Sequence, residues 1–212
     1  MRKIVIAVFS SIDGVMQAPG GPEEDTAGGF AFGGWTFPLF DEAGGAAIGE
    51  MFSQPFDLLL GRKTYDIFAG YWPNVEHDPK SPKYDEGNAF IGKRFDEATK
   101  YVATHRPESL AWKNSRGLGT DVVASLRALK KEDGPSLLTQ GSSELLHLLL
   151  ENDLADEINL MSFPVILGKG KRVFRDQSTP GALKLTKSTI TPAGVVIAKY
   201  ERAGAVKTGS FV

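Results

Sequence analysis

Residues 58–66 read LLLGRKTYD: three leucines run into Gly61, Arg62, Lys63 and Thr64. The apolar run over residues 56–60 is too short for a helix and predicts a buried strand. Residues 64–70 then predict a short helix. A strand that opens into a helix leaves the first N–H groups of that helix free, and with the helix dipole they favour an anion. Gly61 would let the backbone approach a ligand closely, and Thr64 is suited to cap the helix. Arg62 and Lys63 add formal charge. The plain alternative is a capped helix with two solvated cations.

The same order of elements recurs along the chain. Residues 4–10 (IVIAVFS) are apolar at both parities and predict a strand buried on both faces. Asp13-Gly14 then breaks the run with a turn. Residues 18–34 are rich in Gly and Pro and predict a long loop, either a lid or pocket wall or a disordered segment. Residues 40–52 form a helix weakened by Gly44, Gly45 and Gly49. Residues 73–87 carry three prolines and read as an exposed excursion. A helix over 91–98 and a strand over 100–104 follow. Residues 121–131 form an amphipathic helix with cations at its end. A strand over 136–139, a helix over 142–151 and a strand over 157–166 come next. Residues 183–190 and 195–202 close the chain as a hairpin. Strands alternating with helices imply an α/β fold, with a mostly parallel sheet covered on both faces and a terminal antiparallel hairpin.

Two further strand ends carry phosphate-compatible chemistry. Thr104, His105 and Arg106 place a hydroxyl, an imidazole and a guanidinium in succession, which suits a phosphomonoester. Gly141, Ser142, Ser143 and Glu144 make a tight turn into a helix, which suits a pyrophosphate. Each has an ordinary reading as a polar loop or a good helix start. Open parallel sheets bind ligands beyond the carboxyl ends of their strands, so three such turns on one side of one sheet fit a dinucleotide with an extra phosphate.

Composition narrows the alternatives. The 212 residues carry a net charge of −2, which argues against generic binding to nucleic acid or anionic membrane but leaves room for one local cationic pocket. There is no cysteine, and hence no disulfide, thiolate nucleophile or cysteine metal site. The three histidines lack metal-ligand spacing, so no metal is expected. The first apolar run is too short for a secretory leader, and no segment is long enough to cross a bilayer. A cytoplasmic protein is expected. The dinucleotide, P-loop and nucleophile-elbow fingerprints are absent; LGKGK at residues 167–171 only mimics a P-loop.

SSIDGVM (10–16), DLLLGRKTYDIF (57–68) and LLTQGSSELLHLLLENDLADEINLMSFPVILGKGKRVF (137–174), in that order, resemble the dihydrofolate-reductase-like superfamily. The branch they resemble is the C-terminal reductase domain of the riboflavin-biosynthesis deaminase-reductases, as a stand-alone member. The resemblance implies a mixed sheet of about eight strands, a fold-level expectation. It implies NADPH as hydride donor and a small pterin- or pyrimidine-like heterocycle as substrate. Residues 61–64 match the turn that holds the cofactor's phosphates. Thr104, His105 and Arg106 match the segment that reads the 2′-phosphate, and Gly141 to Glu144 the pyrophosphate turn. Gly14 and Val15 fall in the loop that covers the nicotinamide. Asp41 or Glu42 lies where folate reductases place an acidic group on the ring, which makes Asp41 the catalytic candidate. An acidic residue at a helix start is also an ordinary cap. Relatives often dimerise, so a homodimer is implied. Residues 1–203 would form one reductase-like domain and 204–212 a tail. The contrasting reading is a nucleotide-binding protein without turnover, in which the cofactor pocket survives and the substrate pocket does not.

Overall fold

The computed structural model describes residues 1–176 and 178–211. Eight strands form one sheet: β1 (Ile4–Ser11), β2 (Phe56–Gly61), β3 (Lys100–Ala103), β4 (Ser115–Gly117), β5 (Ser136–Thr139), β6 (Glu157–Phe163), β7 (Leu183–Ile190) and β8 (Val196–Arg202). Their order across the sheet is β4-β3-β2-β5-β1-β6-β8-β7. The first six in that order run parallel; β8 adds antiparallel to β6, and β7 adds antiparallel to β8 at the edge. The expected architecture, a mostly parallel sheet closed by a C-terminal hairpin, is the one observed.

Among the described residues five α-helices connect these strands: α1 (Glu42–Ser53), α2 (Arg62–Tyr71), α3 (Glu86–Glu97), α4 (Val122–Lys131) and α5 (Ser143–Glu151). Alternation along β1 sends Val5 and Ala7 to one face and Ile4, Ile6 and Val8 to the other. On the first face they join Leu58, Leu60, Phe52 of α1, Tyr65 of α2 and Phe95 of α3. On the second they join Leu59, Leu126 of α4 and Leu145, Leu146 and Leu149 of α5. A central parallel strand has no solvent side, which is why β1 and β2 are apolar at nearly every position.

Three local features differ from the sequence-based expectation. First, α2 starts at Arg62 with Gly61 as its N-cap, so Thr64 lies inside the first turn and does not cap it. Second, α3 begins at Glu86, inside the stretch read as exposed excursion, because the Asp85 carboxylate accepts from the Asn88 N–H. Third, β4 is a three-residue strand bonded only to β3. Helix α1 forms despite its glycines: Asp41 caps it, and Ile48 and Phe52 bury one side of it. Beyond β8, residues 204–211 have no regular structure.

Candidate functional site

The carboxyl ends of the neighbouring strands β2 and β5 carry the two glycine turns, and the turns pack directly on each other. The Gly61 N–H donates to the Gly141 carbonyl at 3.2 Å. A Cβ on Gly61 would lie 2.2 Å from Ser142 Oγ and 2.9 Å from Ser142 N. A Cβ on Gly141, whose φ is +145°, would lie 2.7 Å from Thr64 Oγ1. Each turn therefore needs its glycine because of the other. The contact brings the N-termini of α2 and α5 side by side, and Lys63, Thr64, Gly141, Ser142 and Ser143 all line one cleft. Glu144 follows in the first turn of α5.

The third strand end stands beyond the wall of that cleft. Thr104, after β3, is buried and receives the Arg106 N–H on its hydroxyl at 3.1 Å. Arg62 ties this loop to α2. Its Nε donates to Asp66, and its Nη1 donates to Ser109 Oγ at 2.6 Å and to the Arg106 carbonyl at 3.3 Å. His105 and Arg106 are exposed, and the Arg106 guanidinium makes no hydrogen bond or ion pair among the described residues. Arg62 is thus a structural tie, and Arg106 is the cation presented to solvent.

Two blocks far apart in sequence, SSIDGVM and LGKGKRVF, meet to form a second wall. The Asp13 carboxylate accepts from Ser11 Oγ, Leu167 N and Gly168 N at 2.7, 3.1 and 2.8 Å. The Ser11 hydroxyl is the chief cause that holds the Asp13 carboxyl down to about 2, aided by the two backbone donors. Val15 bridges Arg172, Gly14 accepts from Val173 N at 2.9 Å, and the Met16 N–H donates to the Lys171 carbonyl at 2.8 Å. Gly14 and Val15 therefore brace the wall, while Met16, Gln17, Ala18 and Lys171 line the cleft.

The loop over residues 18–34 lies along the cleft as a strap. Gln17 anchors it: Nε2 donates to the carbonyls of Asp25 and Ala27 at 2.9 and 3.0 Å, and Oε1 accepts from Lys171 N at 3.0 Å. Trp35 Nε1 donates to the Gln17 carbonyl at 2.8 Å. Asp25 is only 9 % exposed and its carboxylate pairs with both Lys63 and Lys171. Burial opposes its charge, but hydrogen bonds from Lys171 and Lys63 outweigh that and hold the carboxyl down to about 2. Next to it, burial pushes the Glu24 carboxyl up, against the Gly20 N–H that donates to it at 2.6 Å. The sequence signalled a wall or lid here but not Gln17 or Asp25; an acidic residue inside a Gly/Pro-rich loop was the available clue.

The cleft has a volume of about 860 Å³. Aromatic side chains of α1, α2, α3 and their flanks also wall it, namely Phe40, Phe52, Phe68, Tyr71, Trp72 and Phe90, with Tyr71 and Trp72 at the end of α2 away from its glycine turn. Helix α1 presents Gly45, Ile48, Gly49 and Phe52 to it. Asp41 is not in the wall. Its two oxygens accept from Gly44 N at 2.8 Å and from Ala193 N at 2.9 Å, so it caps α1 and ties that helix to the β7–β8 turn. Those backbone donors, Gly44 first, lower its pKa. No cluster of three or more His, Asp or Glu able to hold a metal occurs among the described residues, and among them no helix is long and apolar enough to cross a membrane.

The chain is similar to an uncharacterised Bacillus subtilis protein, YyaP, with 27 % identity over 155 residues, 73 % of this chain and 78 % of that protein. Its fold is similar to that of Enterococcus faecalis dihydrofolate reductase complexed with NADP(H), with a TM-score of 0.56 and 12 % identity, covering 94 % of this chain and 96 % of the other. It is also similar to the Thermotoga maritima diaminohydroxyphosphoribosylaminopyrimidine deaminase/5-amino-6-(5-phosphoribosylamino)uracil reductase, with a TM-score of 0.56 and 19 % identity. That match covers 95 % of this chain and 57 % of the longer protein. The RibD C-terminal domain matches residues 2–197, almost the full length, and with the dihydrofolate-reductase-like sheet it assigns the chain to the RibD C-terminal domain family.

Proposed function

We propose that the protein is an NADPH-dependent reductase that delivers hydride to a C=N or C=O carbon of a small heterocyclic substrate. The observation that carries this reading is the packing of Gly61 on Ser142 and of Gly141 on Thr64. It sets two helix N-termini on one cleft, the arrangement a pyrophosphate needs. Gly61, Lys63 and Thr64 with Gly141, Ser142, Ser143 and Glu144 would hold the cofactor's phosphates, while Arg62 would hold the Thr104–Ser109 loop beside them. Thr104, His105 and Arg106, beside Arg62, would meet the 2′-phosphate. Gly14 and Val15 would stiffen the wall over the nicotinamide. NADPH supplies the hydride; the chain binds, orients and excludes water. The family, and a fold neighbour that carries NADP(H), support this assignment. The proposed setting is the cytoplasm, the proposed reductase unit residues 1–203, and the proposed assembly a homodimer.

The test is a titration of NADPH against tryptophan emission, since Trp72 lines the cleft. Saturable quenching is expected, followed by loss of NADPH absorbance when a reducible heterocycle is added. Absence of NADPH binding would end the proposal. One observation favours a second reading, a non-catalytic nucleotide binder: the cleft side of α1 presents no carboxylate. Quenching without NADPH oxidation by any carbonyl or imine substrate would favour that reading.

A further inference from the structure

We infer that the substrate end of the cleft takes a flat, uncharged, largely apolar ring bearing the reducible C=O or C=N, and not a phosphorylated one. This deepens the proposed reductase function and rests on it. Two independent features point the same way.

The first is the surface. Phe40, Tyr71 and Phe90 remain 43 %, 51 % and 42 % exposed, unusually high for large rings, and all three face the same cleft. Aromatic side chains left open to solvent around a concavity mark a binding surface for an apolar partner. Rings from α1, α2 and α3 converge there, so a planar ligand can stack or meet them edge-on. Asn88 and Asp85 add a few polar atoms, and the Asp85 carboxylate is already engaged by the Asn88 N–H at 2.7 Å.

The second is the charge. The acidic and basic residues of the cleft wall are Glu23, Glu24, Asp25 and Asp85 against Lys63 and Lys171. Both lysines are paired with Asp25. Lys63 sits on the phosphate-compatible turn, which the cofactor would occupy. Among the described residues, Lys63 and Lys171 are the cations that line the cleft. Arg94 of α3 turns elsewhere, donating to the carbonyls of Phe52 and Gln54 at 3.0 and 2.8 Å. A dianionic phosphate brought into this end would lose its water without gaining a charged donor, which is strongly unfavourable. The phosphoribosyl group named for the Thermotoga maritima protein therefore finds no charged seat among the described residues beside these rings.

The experiment uses the full chain saturated with NADP⁺ and two probes that share a ring system, 2-naphthaldehyde and 2-naphthyl phosphate, measured by calorimetry. The aldehyde is expected to bind at least tenfold tighter. With NADPH in place of NADP⁺, it is expected to be reduced to the alcohol, hydride going to the carbonyl carbon and a solvent proton to its oxygen. Phe90→Lys, a change at a half-exposed helix position, is expected to narrow or reverse the binding preference while thermal unfolding stays as in the wild type. Equal or tighter binding of the phosphate, faster turnover of 5-amino-6-(5-phosphoribosylamino)uracil, or no binding of either probe would overturn the inference. Each of these leaves the reductase reading standing provided NADPH binds; failure of NADPH to bind removes the reading itself.

Discussion

Gly61→Ala tests the contact on which the site is built. Gly61 has φ −71° and ψ 155°, which any residue adopts, so backbone preference does not oppose the change. Opposition comes from Ser142, with Oγ at 2.2 Å, Cβ at 2.9 Å and backbone N at 2.9 Å from the new methyl. Rotating the serine hydroxyl relieves the first contact but neither of the others. Overpacking of this kind costs about 1–3 kcal/mol, and the involvement of backbone places this case at about 2–3 kcal/mol. For a chain of this length that is a drop in Tm of about 4–12 °C. Ser142→Gly removes the Oγ and Cβ contacts and leaves only the one to N. The double variant Gly61→Ala/Ser142→Gly should therefore recover about half the loss, a coupling of about 1 kcal/mol. Urea and thermal unfolding of the four proteins measure this cycle. Because both turns shift together, NADPH and NADH should weaken alike in Gly61→Ala. A single variant within about 0.5 kcal/mol of wild type, or a double variant no better than the sum of its parts, would refute the steric account of Gly61.

Arg106→Ala should weaken NADPH by about 1.5 kcal/mol, the lower end for a charged hydrogen bond because the side chain is exposed, and leave NADH unchanged; equal losses for both coenzymes would remove Arg106 from 2′-phosphate recognition. Asp25→Asn should lower stability by under about 1 kcal/mol, since Lys63 and Lys171 are half exposed, yet speed proteolysis within residues 19–34; unchanged cleavage would mean that Gln17 and Trp35 suffice to hold the strap. Lys100 is fully buried, with Nζ donating to the carbonyls of Asp96 and Lys113 at 3.1 Å and lying 4.2 Å from the Trp112 ring centre. Burial lowers its pKa from 10.5 to about 8. Between those values the unfolded chain holds the extra proton, so stability should rise with pH across that window, and the burial penalty should be fully present below it. Lys100→Met should flatten that rise, as read by urea unfolding at several pH values.

Much of the fold is legible because central parallel strands leave a plain signature. β1 and β2 are apolar at most positions, and the leucines of α5 repeat at helical spacing. The short β4 is not legible: Ser115, Arg116 and Gly117 carry no pattern, and only pairing with β3 makes them a strand. The start of α3 was hidden by prolines upstream, although Asp85 is an ordinary cap. At the site, both glycine turns can be read from their residue types. Their physical reason cannot, since Gly61 and Ser142 belong to different segments and meet only because β2 lies beside β5. Arg62 and Lys63 read as free cations; the fold spends one on the Thr104–Ser109 loop and the other on Asp25. Such long-range pairs leave no trace in local pattern.

The place of β1 in the sheet has a consequence for how the protein is made. Of the strands in this sheet it is made before the other seven, yet Ile4 pairs with Leu137 and Val5 with Glu157. Its greasy length must wait, without a neighbour on either side, until most of the chain has been synthesised. Nascent protein should thus depend on holding chaperones more than a sheet built in chain order would, and refolding should be slow for its size.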